Sequence, residues 1–94
     1  MQGSIEVGAV VLSKMGRDSG RYYVVVALTG EDYALVVDGK YRKLANPKLK
    51  KLKHLKYKGE DILSVKEKIN LHQDITDAEI RRALGTCDTK NSEV

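Results

Sequence analysis

At 94 residues, 41% of them hydrophobic, the chain can bury one modest core, so one domain plus an appendage is the ceiling. The longest apolar run, residues 22–28, is far below the ~20 residues that span a bilayer, and Glu6 interrupts any signal-like start. The single cysteine, Cys87, has no partner for an internal disulfide and lacks paired zinc-site spacing, so composition points to a soluble, unexported protein of a reducing cytoplasm.

In chain order, residues 8–14 (GAVVLSK) and 21–28 (RYYVVVAL) are rich in β-branched residues and predict strands. The second is apolar on both alternating faces and belongs in the middle of a sheet. The stretch between them, SKMGRDSG, has two glycines four residues apart. A Walker-type phosphate loop needs four residues between its glycines, then Lys and Ser or Thr opening a helix; Gly16 and Gly20 enclose three and a strand follows. A hydrolase nucleophile elbow needs Gly-x-Ser-x-Gly, whereas Ser19 directly precedes Gly20. The stretch is a tight turn.

Residues 33–37 (YALVV) predict a third strand after the turn Thr29-Gly30-Glu31-Asp32. Asp38-Gly39 then predicts a two-residue hairpin turn into a short fourth strand at 41–44, which Asn46-Pro47 breaks. In KLKKLKHLKYK, Leu49, Leu52 and Leu55 recur every third residue while Leu55 and Tyr57 are in strand register; the expectation is one tight helical turn and a short strand over about 52–57. Ile62, Val65 and Ile69 predict a short helix. Thr76 and Glu79 have capping-box spacing, Ile80 and Leu84 share a stripe, and Gly85 predicts the stop of a second helix. The fold class expected is mainly β: a small barrel of four to five strands over residues 1–58, a helical extension over 59–86 and a flexible tail over 87–94.

Charge is unevenly distributed. Residues 1–58 carry 12 basic and 5 acidic side chains, a net of +7, whereas 59–94 carry 5 and 8, a net of −3. Within 39–59, eight lysines and Arg42 face no acid, as expected of a polyanion-binding surface. A solvated lysine-rich edge that guards against sheet aggregation is the alternative reading of the same charges. Catalytic groups are not gathered: His54 and His72 fall in different segments, Asp18 has no evident partner, and Glu60-Asp61 reads as charge at a helix start. The expectation is a noncatalytic protein with no metal, cofactor or small-molecule substrate.

Residues 6–28, EVGAVVLSKMGRDSGRYYVVVAL, resemble a KOW motif, the strand-loop-strand signature of an SH3-like barrel in ribosomal proteins and transcription elongation factors. Gly20 matches the glycine that ends the loop in that family, and Gly8, Val10, Val11, Arg17, Asp18, Arg21 and 24–26 fit the flanks. The continuation VDGKYRKLANPKLKKLKHLKY is similar to the large-subunit ribosomal protein fourteen-e family and to small bacterial KOW proteins, the group that the chain length and the ITDAEIRRAL tail suit best. The resemblance implies an SH3-like barrel that binds RNA in or beside the ribosome. It would have structured rRNA and ribosomal proteins as neighbours.

In that reading Gly16, Asp18 and Gly20 shape the turn, and Lys14, Arg17 and Arg21 flank it within reach of phosphates. A second contact set is Lys40, Tyr41, Arg42, Lys43, Lys48, Lys50, Lys51, Lys53 and Lys56. The lysine bias predicts recognition of structured RNA by shape and phosphate spacing rather than by sequence. Of the five tyrosines most belong to the core, and Tyr41 is the candidate stacking platform. The alternative function is a protein-interaction adaptor of the translation or transcription machinery, using the barrel and the C-terminal helix. The absence of Trp argues against a proline-peptide groove in that role.

Overall fold

Alternation along three central strands decides the architecture. The computed structural model describes residues 5–92, with side chains through Gly85. Its strands are β1 (Ala9–Ser13), β2 (Tyr22–Thr29), β3 (Tyr33–Val37), β4 (Lys48–Lys51) and β5 (Leu55–Asp61), with a 3₁₀ turn at Leu52–His54, followed by helices α1 (Leu63–Asn70) and α2 (Asp77–Ser92). The strands form one antiparallel sheet in the order β4-β3-β2-β1-β5. The two edge strands are consecutive in the chain and joined only by the 3₁₀ turn, so the sheet has to roll up to bring its edges together. Hydrogen bonds from Lys14 N–H to the His54 carbonyl and from Leu52 N–H to the Asp32 carbonyl tie that turn to both sides of the roll. The result is mainly β, a small barrel with a helical C-terminal extension.

Because side chains alternate faces, the rolled sheet has an inside and an outside, and both are apolar. Val11, Tyr23, Val25, Ala34, Val36 and Leu55 fill the barrel. Their neighbours Val10, Val24 and Val37 point outward and are covered by Val65 of α1 and Ile80 and Leu84 of α2. The doubly apolar β2 therefore has a second layer to pack against. The helical extension thus covers a second core on the outside of the sheet, and β5 runs from Leu55 to Asp61.

Helix α2 starts with the expected capping box: Glu79 N–H donates to Thr76 Oγ1 at 3.2 Å, and Thr76 N–H donates to Glu79 Oε1 at 2.9 Å. It does not stop at Gly85. That glycine keeps right-handed backbone instead of the left-handed conformation of a helix terminator, and the helix continues to Ser92. The Cys87 side chain and residues 93–94 of the expected tail lie outside the described set.

The region after β3 departs from expectation. Asp38-Gly39 is not a two-residue hairpin turn and 41–44 is not a strand. Asp38 Oδ1 instead accepts the backbone N–H groups of Lys40, Tyr41 and Arg42 at 2.8 to 2.9 Å, which curls the chain into a loop and takes the donors a strand ladder would need. The fourth strand forms after Pro47, where Lys48, Leu49, Lys50 and Lys51 pair with 33–36.

Candidate nucleic-acid interface

The loop from Lys14 to Gly20 is closed by two backbone bonds across its neck: Ser13 N–H donates to the Arg21 carbonyl at 2.9 Å and Gly20 N–H to the Ser13 carbonyl at 2.8 Å. Gly20 is needed for its backbone, not for space. Its φ is +92°, and a Cβ there would meet nothing within 4 Å.

Asp18 turns from the loop back into the barrel mouth and is 5% exposed. Its carboxylate accepts hydrogen bonds from Ser13 Oγ at 3.0 Å, Tyr23 Oη at 2.8 Å and Lys50 Nζ at 3.2 Å, and pairs with Lys48 Nζ at 3.2 Å. Burial alone would raise its pKa, but bonds from Tyr23, Lys48, Ser13 and Lys50 together outweigh that and hold the carboxyl far below the ordinary carboxylate range. The same contact acts oppositely on Tyr23. Burial, then the bond to Asp18, pushes its phenol up to about 12. The residue without an evident partner in the sequence is thus the anionic centre of the loop's anchor.

That anchor changes the standing of two lysines. Lys50 is 8% exposed and its ammonium is committed to Asp18 and to the Met15 carbonyl at 3.0 Å, so it is not among the outward-facing cations. Lys48 pairs with Asp18 on one side but keeps partial exposure.

Across the mouth lies the loop 38–47, fixed from beneath by α2. Arg81 donates to the Gly39 carbonyl at 2.6 Å, and Leu44 N–H donates to Asp77 Oδ1 at 2.8 Å. Gly39 is required here. A Cβ would lie 2.5 Å from the Asp77 carbonyl oxygen, and its φ is +78°. This docking presents Tyr41, 61% exposed, beneath the Arg21 guanidinium, whose carbon is 4.2 Å from the ring centroid; Lys40 Nζ is 5.1 Å away.

Two hollows meet at this Arg21–Tyr41 pair. One, of about 360 Å³, is lined by Tyr22, Asp38, Lys40 and Leu84 besides the pair and Gly20. The other, of about 220 Å³, is lined by Arg17, Arg42 and Lys48 besides the pair, with Asp18 and Tyr23 also contributing. The fold thus gathers Arg17, Arg21, Lys40, Tyr41, Arg42 and Lys48 from three separate stretches of chain.

Other expected contact residues lie elsewhere. Lys51 and Lys53 line a hollow with Asp32 and Leu52 that shares no residue with these two. Lys56 is exposed on β5 opposite Leu12, Lys43 is exposed in the 38–47 loop, and Lys14 is exposed where the loop leaves β1 beside His54. Residues missed in the sequence are Asp38 and Lys58, whose ammonium is 5.8 Å from the ring centroid of Tyr22, a tyrosine weighed there as a stacking platform but given with most of the others to the core. Lys58 belongs to the acid-free run, and its strand alternation with Lys56 was the available signal. Among the described residues, no group of three or more His, Cys, Asp or Glu side chains is placed to hold a metal ion, and no helix is long and apolar enough to cross a membrane. No protein-family model matches the chain.

Proposed function

We propose that the protein is a noncatalytic RNA-binding module that holds structured, rRNA-type RNA at the barrel mouth, in the cytoplasm and in the company of ribosomal proteins. The observation that carries this reading is the convergence of Arg17, Arg21, Lys40, Arg42 and Lys48 around an exposed tyrosine. Cations beside an aromatic face supply phosphate attraction and base stacking, two of the contacts by which proteins hold RNA. The KOW-like stretch at 6–28, which places Arg17 and Arg21 on the loop, supports the same reading.

Binding of a structured RNA, followed by fluorescence anisotropy over a salt series, tests it. With about six phosphates neutralised, log affinity falls with log salt at a slope of about −4 to −5. Replacing Arg17 and Arg21 together by Ala weakens binding and leaves thermal stability nearly unchanged, since both are exposed. Salt-insensitive binding, or none at low salt, would remove the proposal.

A further inference from the structure

The two hollows beside Tyr41 differ in chemistry. The larger is lined by Tyr22, Leu84, Asp38 and Lys40 besides Gly20 and the Arg21–Tyr41 pair. Aromatic and apolar surface beside an acidic residue suits the flat, donor-bearing edge of a base, and this hollow holds fewer cations than the smaller one, Lys40 and the shared Arg21 against Arg17, Arg42, Lys48 and Arg21. Asp38 Oδ1 already takes three backbone amides, and a carboxylate has further lone pairs for a donor. At about 360 Å³ the hollow falls within the range of roughly 300–1,000 Å³ typical of small-ligand sites. The smaller hollow, about 220 Å³, carries Arg17, Arg42 and Lys48, and the Asp18 charge near it is already met by Lys48 and Lys50. It suits a phosphate, with arginine forks to grip it.

Arg21 and Tyr41 belong to both hollows. The Arg21 guanidinium already lies over the Tyr41 ring, its carbon 4.2 Å from the centroid, and a base adds a further layer to that pair. A base paired and stacked within a continuous helix cannot enter it. Resting on the RNA-binding reading above, we infer that the site takes an unpaired nucleotide of a structured RNA, a bulge or a splayed loop base, with the base in the Tyr41–Asp38–Leu84 hollow and its phosphate in the Arg17–Arg42 hollow.

The loop that carries this site is rigidly held. Asp38 organises it from within, and Asp77 and Arg81 of α2 hold it from beneath. A preformed loop favours base capture, because the backbone that carries Tyr41 is already fixed in the free protein.

The test compares two RNA hairpins of equal charge, one a continuous stem and the other with a single bulged 2-aminopurine, against the full chain and its Tyr41→Leu and Tyr41→Phe variants. The expected result is at least tenfold tighter binding of the bulged hairpin and quenching of its 2-aminopurine fluorescence. Tyr41→Leu abolishes both the preference and the quenching, and Tyr41→Phe retains them. Equal affinity for the two hairpins, each with the steep salt slope, overturns the unpaired-nucleotide site and leaves the RNA-binding reading standing. Failure to bind either hairpin at low salt overturns both.

Discussion

The loop that bears Arg17 is closed by backbone hydrogen bonds at its neck and anchored to the barrel by the buried Asp18 carboxylate. At the barrel mouth the Asp18 carboxylate balances Lys48 and Lys50 while Ser13 and Tyr23 fill its remaining lone pairs. Replacing Asp18 by Asn keeps the shape and an acceptor oxygen but leaves the buried Lys50 ammonium without a counter-charge. Breaking a fully buried pair from one side costs about 3–5 kcal/mol; with Lys48 still partly solvated, the expected cost here is about 2–3 kcal/mol. Urea unfolding at neutral pH reads it as a lower midpoint at unchanged slope. The folded pKa of Asp18 lies below its unfolded value, so its contribution is complete above the unfolded pKa, near 4, and is lost as pH falls through the folded value. The gap between the protein and Asp18→Asn therefore holds constant from pH ~7 to ~5 and closes only on stronger acidification. A gap that closes near neutrality would mean that Asp18 is not the depressed carboxylate of the anchor.

At the scale of elements, the helices and the barrel share one fate. Ile80 is fully buried against Val10, Val24 and Val37 on the outside of the sheet. Its replacement by Ala costs about 2–5 kcal/mol, and at roughly 4–8 °C per kcal/mol for a domain of this size it lowers Tm by ~10 °C or more. The loss appears as one transition, with far-UV circular dichroism and the exchange protection of β2 amides falling together. Helix signal lost while β2 amides remain protected would make α2 a detachable extension. Much of this architecture was legible in the chain. The Val-rich runs give β1 to β3 within a residue or two, the doubly apolar β2 announces a two-sided sheet, and Thr76 with Glu79 marks the start of α2. The fourth strand was not legible, because Asp38 takes three amides ahead of it and local propensity at 41–44 does not register that competition. The Asp18 anchor was hidden for another reason. Its partner Lys50 is 32 residues away, and strand pairing of β4 with β3 brings it to the mouth.

For the molecule as a whole, the rolled sheet divides what the sequence presents as one basic run. The acid-free stretch 39–59 sends Lys40 and Arg42 to the Arg21–Tyr41 site and Lys51 and Lys53 to a separate hollow beside Asp32, and it withdraws Lys50 into the interior. A ligand drawn only by net charge would respond equally to the loss of any two exposed cations. A ligand seated at the barrel mouth does not, because exposed charges beyond a Debye length of ~8 Å at physiological salt are largely screened. Two double variants with the same change in net charge separate these cases: Arg17→Gln with Arg42→Gln, and Lys51→Gln with Lys53→Gln. The first pair is expected to lower RNA affinity at least tenfold and to reduce the magnitude of the salt slope by about 1–2, as lost phosphate contacts require. The second is expected to change affinity less than threefold. Equal losses from both pairs would transfer binding from the Tyr41 site to the diffuse field of the barrel, and a larger loss from Lys51 and Lys53 would move the interface to the Asp32 hollow.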